Sequence, residues 1–334
     1  MFDIDFSIPY WLTTYYHVIG VISILFDSFS IYLVLFRSDK IDNFRYFLLY
    51  FQLACTSTDI ILTFLMQPVE LYPILAGYSM GFLAQFGVTT HFCLTMLMLS
   101  EIYQIESMIF CFLRKHQTIA STLRKYAIPN WLVWSFFAFL AFHICAMGAL
   151  FSQTSIDPEQ QMEYVRMNFP EYLQGFQSLP NFSIYEADAY FLGTVIFAVS
   201  CGIFAFLVLC IVIANIFRML SLLKTQISAS NYQKHRAAVW SLLAQFATSG
   251  VCFIPPLALV FVALFSINRG QCRFISVIVE YLLVIACSHS SLNVLVLIAT
   301  FPPYRKYVLS LVKRKKKIAR TGLSVLSLKP SQMS

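Results

Sequence analysis

Long apolar runs recur seven times along the chain, with polar stretches between them. They cover residues 10–36, 46–66, 81–110, 128–151, 189–217, 237–265 and 274–298. Each reaches the roughly 20 residues that a helix needs to cross about 30 Å of hydrocarbon. A segment surrounded by lipid must satisfy its own backbone hydrogen bonds, which selects the helix. The pattern therefore predicts an all-α bundle of seven membrane spans, numbered 1 to 7 below, with the two termini on opposite sides.

Charge orients the bundle. The segments 37–45, 113–127 and 218–236 and the tail after Ala299 hold 20 of the 23 Lys and Arg residues. The opposite set of segments holds only Arg166, Arg269 and Arg273. Positive charge stays on the cytoplasmic side, so the N-terminus is expected outside and the tail inside. The net charge of +7 then reflects topology and contact with anionic inner-leaflet lipid, not nucleic acid. Composition agrees: 59% of residues are apolar, 12% are charged, and the mean hydropathy is +0.72. Asp3 and Asp5 stand where a signal peptide would be basic, so span 1 is expected to act as an uncleaved signal-anchor.

The nine cysteines make no disulfide framework. Eight fall in or at the ends of spans, and Cys272 alone lies in an outer loop. The longest connection, 152–188, carries six acids against Arg166. Its Asn181-Phe182-Ser183 triplet is a glycosylation sequon on the side that the charges assign to the exterior.

Polar residues inside the spans are costly in lipid and are read one by one. Asp27 shares a helix face with Ser23 and Ser30, a stripe suited to hydrogen bonds between helices. Asp59 in span 2 is matched with Asn293, His289 or Ser290 of span 7. Asp27, Asp59, His289 and Asn293 are thus candidates for a switch between two packings. His91 in span 3, His143 in span 4 and Glu280 in span 7 are candidate ligand contacts, or else packed polar residues. No His-x-x-x-His or Cys-x-x-Cys spacing points to a metal, and no cofactor is expected. Glu101, Gln104 and Glu106 are expected at the inner end of span 3, close to Arg114, Lys115 and His116. Pro255 and Pro256 are expected to kink span 6. After span 7, Tyr304, Tyr307, Val308, Leu311 and Val312 form one apolar stripe opposite Arg305, Lys306, Lys313 and Arg314. This is an amphipathic helix for the inner headgroup region.

Three short runs carry a resemblance to a known family. They are Gln67-Pro68-Val69-Glu70-Leu71-Tyr72-Pro73 with Ala76-Gly77-Tyr78, then residues 110–117, Phe-Cys-Phe-Leu-Arg-Lys-His-Gln, and Pro303-Tyr304-Arg305. In this order relative to the spans, the chain resembles the nematode serpentine chemoreceptors, closest to the class I and class H groups of these G-protein-coupled receptors. The resemblance implies a receptor domain over residues 1–312 and a basic cytoplasmic tail over 313–334. It implies a plasma-membrane protein of chemosensory cells that detects an environmental small molecule and signals through a heterotrimeric G protein. Glu106, Arg114, Lys115, His116 and Arg305 are then transducer-facing candidates. The rhodopsin-like Asp-Arg-Tyr and Asn-Pro-x-x-Tyr motifs are absent. The usual disulfide from span 3 to the second outer loop has no cysteine in that loop. All lysines are expected in inner loops or the tail, which leaves none for a retinal Schiff base. A transporter or ligand-gated cation channel is the alternative, but it needs a connected polar path. No paired catalytic constellation suggests an enzyme.

Overall fold

The computed structural model describes residues 4–38, 43–266, 273–311 and 313, with side chains throughout except at 255–266 and 273–277. Cys272, Val312 and residues 314–334, with most of the tail's basic run, lie outside them. Of the described residues, 79% are helical. Span 1 is α1 (Tyr10–Phe36), and span 2 is α2 (Phe44–Ile60), which runs on as a π-helical turn over Ile61–Met66. Two short strands follow, β1 (Pro68–Glu70) and β2 (Ala76–Ser79), then the single-turn α3 (Phe82–Gln85). Span 3 is α4 (Thr90–Leu123), and span 4 is α5 (Asn130–Ser152). The second outer loop folds into α6 (Pro158–Asn168), α7 (Leu173–Gln177) and β3 (Ser183–Ile184). Spans 5 and 6 are α8 (Ala189–Leu223) and α9 (Ala229–Ser266). Span 7 is split into α10 (Arg273–Cys287) and α11 (His289–Thr300), its two parts meeting at 47°. A last helical stretch covers 302–311.

Six described helices are long and apolar enough to cross a bilayer, and the bent pair makes the seventh passage. The break in span 7 is held from span 1. The Tyr15 hydroxyl lies 2.6 Å from Ser288 Oγ and donates to the Val284 carbonyl at 3.1 Å. The Val284 carbonyl also accepts from the Ser288 amide and hydroxyl, at 3.2 and 2.8 Å, so Tyr15 joins span 1 to the hydrogen bonds at the break.

Spans 3, 5 and 6 overrun the expected boundaries. The third is 34 residues long, or about 51 Å at roughly 1.5 Å per residue. Arg114, Lys115 and His116 are therefore helical and do not belong to a loop. Lys115 is buried, with Nζ 5.0 Å from the Phe44 ring centre, so one lysine does sit within a span helix, at its inner end. Span 6 is helical through Pro255 and Pro256, whose side chains lie outside the described set, so their kink remains an expectation.

Three apolar clusters stack along the bundle axis. The inner one joins Leu33, Phe51, Phe112, Ile216, Leu242, Leu297 and Tyr304. The middle-to-outer one joins Leu12, Tyr16, Leu62, Met66 and Cys93. The outermost is a cap that the apolar pattern did not predict. There β1, β2 and β3 form a three-stranded antiparallel sheet in that order. Its core holds Val69, Leu71, Ile74, Tyr78, Val165, Phe176 and Ile184. Phe6 from the N-terminal segment packs edge-on to Phe176, with ring centres 5.2 Å apart. It lies so close over Gly175 that a Cβ there would meet the Phe6 ring at 2.5 Å.

The stretch after span 7 docks through tyrosines. Tyr304 is fully buried, and its hydroxyl lies 2.5 Å from Ser38 Oγ. Arg37 caps the Tyr307 ring at 4.2 Å. Leu309, Leu311, Arg305 and Lys306 stay exposed, which gives the segment one face for the bundle and one for its surroundings.

Candidate functional site

The polar residues of the spans converge on one layer between the inner and outer apolar clusters. The hydroxyl of Ser290 in span 7 donates to Asp27 Oδ1 at 2.6 Å. Ser23 and Ser291 meet through their hydroxyls at 2.8 Å. Ser30 donates to Gln52 Oε1 at 3.0 Å, and Gln52 Nε2 donates to Gln245 Oε1 at 3.4 Å. Span 1 is thereby tied to spans 2 and 7, and span 2 to span 6.

His289 sits at the centre of the other half of the layer. Gln104 Nε2 of span 3 lies 3.2 Å from His289 Nδ1, and Ser249 Oγ of span 6 lies 2.9 Å from His289 Nε2. An amide nitrogen only donates, so Nδ1 accepts and the ring proton sits on Nε2, pointing at Ser249. Of the three span-7 residues expected to meet Asp59, Ser290 does so, alongside Ser23 of span 1, and each of the three also has a partner elsewhere. Ser290 bonds to Asp27, His289 to spans 3 and 6, and Asn293 reaches Cys55 Sγ of span 2 at 3.9 Å. The i,i+4 spacing of His289 and Asn293 fixes their relative positions but not their partners. The π turn after Ile60 further shifts the angular position of everything outward of Asp59. Asp27 Oδ2, Asp59 Oδ2, Gln104 Oε1 and Asn293 Oδ1 are buried without a protein hydrogen-bond partner. Unmatched acceptors of this kind are expensive away from water.

Glu106 and His143 form a second, lateral contact. His143 Nδ1 lies 3.1 Å from Glu106 Oε1, and both side chains are buried. Glu106 thus faces span 4, with 17 further residues of helix between it and the inner end of span 3. It does not join Arg114 and Lys115 in a cap at the inner surface. Phe139 stacks parallel to the imidazole at 6.5 Å, and Phe197 of span 5 closes from the side at 6.1 Å.

At the outer end, His91 binds the second outer loop. Its Nδ1 lies 3.0 Å from the Tyr185 hydroxyl, and its ring stacks on Phe151 of span 4 at 5.0 Å. Next to it, Thr90 donates to the Asn181 carbonyl and lies 3.0 Å from Ser79 Oγ. Hydrogen bonds from Thr90 and His91 therefore hold the loop to span 3. The Asn181 side chain itself is exposed. Glu280 lies against Trp11 of span 1. Burial pushes the Tyr185 hydroxyl above its ordinary range, with Ser183 opposing.

At the inner end, His116 is buried and its Nδ1 has no hydrogen-bond partner. Arg114 lies over the Phe47 ring at 5.7 Å. Arg305 is exposed after span 7 and reaches the Ala299 carbonyl at 3.4 Å. Within the inner apolar cluster, Phe112 of span 3 meets Phe246 of span 6 edge-on at 6.2 Å. Gln52 and Gln245 were readable by the rule that singled out the acids and histidines, since an amide in a span is equally conspicuous. Nothing in the sequence marks Tyr185. Among the described residues, no group of three or more His, Cys, Asp or Glu side chains could hold a metal ion.

Comparison with known proteins bears on the whole chain. In shape it is similar to squid rhodopsin, with a TM-score of 0.53 over 90% of this chain and 85% of that one, at 10% sequence identity. That likeness concerns the fold alone. No curated protein sequence matches the chain. A family model described as serpentine type 7TM GPCR chemoreceptor Sri matches residues 2–308. With every span inside that match, the chain belongs to the Sri family of serpentine seven-transmembrane G-protein-coupled chemoreceptors.

Proposed function

We propose that this protein is a plasma-membrane receptor of chemosensory cells. It detects an environmental small molecule and signals through a heterotrimeric G protein by rearranging its helix bundle. The finer family placing, class I with class H as the nearest group, rests on the three short runs at the outer end of span 2, in span 3 and after span 7.

The observation that carries this reading is the sandwiched polar layer. It joins spans 1, 2, 3, 6 and 7, with the cap above it and the inner apolar cluster below. A layer whose acceptors are incompletely matched favours two alternative packings, because another arrangement can satisfy a different subset. Ligand binding selects one of them. Asp27, Asp59, His289 and Asn293 act in this switch. His91, through Tyr185, belongs to the ligand side, with Glu280 and His143 as further candidates. Arg114 and Arg305 present charge to the transducer, whereas Lys115 and His116 become available only when the inner face opens. Basic groups along 305–317 contact anionic lipid.

The channel alternative needs a continuous polar path. Among the described residues the polar layer has apolar packing on both sides. The test is calcium or cAMP reporting in cells that express the receptor, during a screen of volatile and soluble small molecules. Ligand-evoked output that a G-protein inhibitor abolishes supports the receptor. A ligand-evoked current that persists under the inhibitor overturns it in favour of the channel.

A further inference from the structure

The cap holds a partly open cleft of about 90 Å³ between the β1–β2 turn and the second outer loop. Tyr164, Phe169 and Tyr185 supply aromatic walls, and Pro73, Leu75 and Ala187 supply aliphatic ones. The Tyr164 and Phe169 rings stand 6.2 Å apart at 60°. No lysine, arginine or histidine lines the cavity. Arg166, two positions beyond Tyr164, is directed to Glu163 at 2.8 Å. The exposed Glu186 follows Tyr185 in the chain. Burial first, and then the Glu186 carboxylate, hold the Tyr164 hydroxyl above its ordinary pKa, so that carboxylate is electrostatically close to the cavity wall.

Aromatic faces carry negative potential and attract cations held over them, and small ammonium ions are the usual guests of such cages. The neighbouring carboxylate adds to that potential, and no basic side chain on the wall opposes it. Size sets the other limit. A cavity of about 150 Å³ holds benzene, so one of about 90 Å³ suits four or five heavy atoms. We infer that this cavity is a binding site for a small organic cation, a short alkylammonium.

The site is wired to the bundle through one wall. The Tyr185 amide donates to the Leu75 carbonyl at 2.7 Å, and its hydroxyl lies 3.0 Å from His91 Nδ1. Its ring also packs near Phe151 of span 4 and Phe191 of span 5, at 5.7 and 5.9 Å. A guest resting on Tyr185 bears on the outer ends of spans 3, 4 and 5 together. The inference names the ligand class for the receptor and rests on the receptor reading for its physiological meaning. The binding event does not depend on signalling.

The experiment uses the full-length receptor in lipid nanodiscs, with tetramethylammonium replacing sodium at constant ionic strength. A ligand of the folded state raises the unfolding midpoint as its concentration grows. Tetramethylammonium should give a saturable rise. tert-Butanol, with the same number of heavy atoms and no charge, and trimethylacetate, with the opposite charge, should give none. Tyr164→Leu and Phe169→Leu each remove one aromatic face while keeping apolar bulk, and should weaken apparent affinity by about 5- to 30-fold. Glu186→Gln changes an exposed side chain and should weaken it by a few-fold. This variant decides the matter if a ring variant fails to unfold cooperatively. The inference is overturned if tetramethylammonium gives no saturable rise, if tert-butanol matches it, or if all three variants bind as wild type does. Second-messenger output is read in parallel. Saturable binding without output supports the cage and counts against the receptor reading. Output driven by another compound, without tetramethylammonium binding, overturns the cage alone.

Discussion

The Tyr185 hydroxyl lies 3.0 Å from His91 Nδ1, and this contact joins the outer cap to the third span. Tyr185 also extends the hydrogen bonding of β3 by donating its amide to Leu75. One residue therefore couples the sheet to the bundle. Tyr185→Phe keeps the ring and removes only the hydroxyl, at a cost of about 1 kcal/mol. The unfolding midpoint should fall slightly, and amide exchange should accelerate at residues 183–185. Unchanged exchange there would show that the cap is held by its apolar core alone.

Asn181 is exposed while its carbonyl is tied to Thr90. With the N-terminus outside, endoglycosidase treatment should shift the wild-type band but leave Asn181→Gln unaffected. A C-terminal epitope should stain only permeabilised cells. Staining of intact cells would reverse the topology.

The Glu106–His143 contact is buried between spans 3 and 4. Removing one partner of a buried hydrogen-bonded pair costs about 1–3 kcal/mol, because the other is left unmatched. His143→Leu and Glu106→Leu should each lower surface expression. The double variant should recover most of it, since two leucines in lipid leave nothing unsatisfied. A double variant as depleted as the sum of the singles would mean that the two residues act independently.

These cases show what the sequence could and could not tell. Seven spans were legible because hydrocarbon demands some 20 apolar residues wherever the chain crosses. Helix ends were not. Span 3 continues to Leu123 through Arg114, Lys115 and His116, where Arg114 and Lys115 pack against Phe47 and Phe44 of span 2. The outer sheet was invisible because strands such as Ser183–Ile184 exist only through pairing with Ala76 and Gly77, more than a hundred positions earlier. At the site, Asp27, Asp59, His289 and Asn293 stood out as isolated polar residues. Their partners depended on helix rotation, which no spacing rule supplies. His91 stood out as well, but Tyr185 is one of 18 tyrosines and carries no local signal.

The segment after span 7 exposes Leu309, Leu311, Arg305 and Lys306. Basic groups near an anionic surface contribute about 1 kcal/mol each. A peptide of residues 303–320 should become helical on anionic vesicles and dissociate as salt rises. Equal, salt-insensitive binding to neutral vesicles would assign its membrane contact to apolar burial instead.

The central claim is that the inner face opens when the transducer docks. Phe112 and Phe246 hold spans 3 and 6 together there. Spin labels at Thr122 and Ser230, both exposed, report the separation of these two inner ends once the exposed Cys145 and Cys210 are replaced. Pulsed electron resonance on the receptor in nanodiscs, with and without nucleotide-free heterotrimeric G protein, measures it directly. The account predicts a distance distribution that shifts outward by several ångströms on addition of the G protein and returns when guanine nucleotide releases it. A distribution that G protein leaves unmoved, although the two proteins bind, would contradict the account.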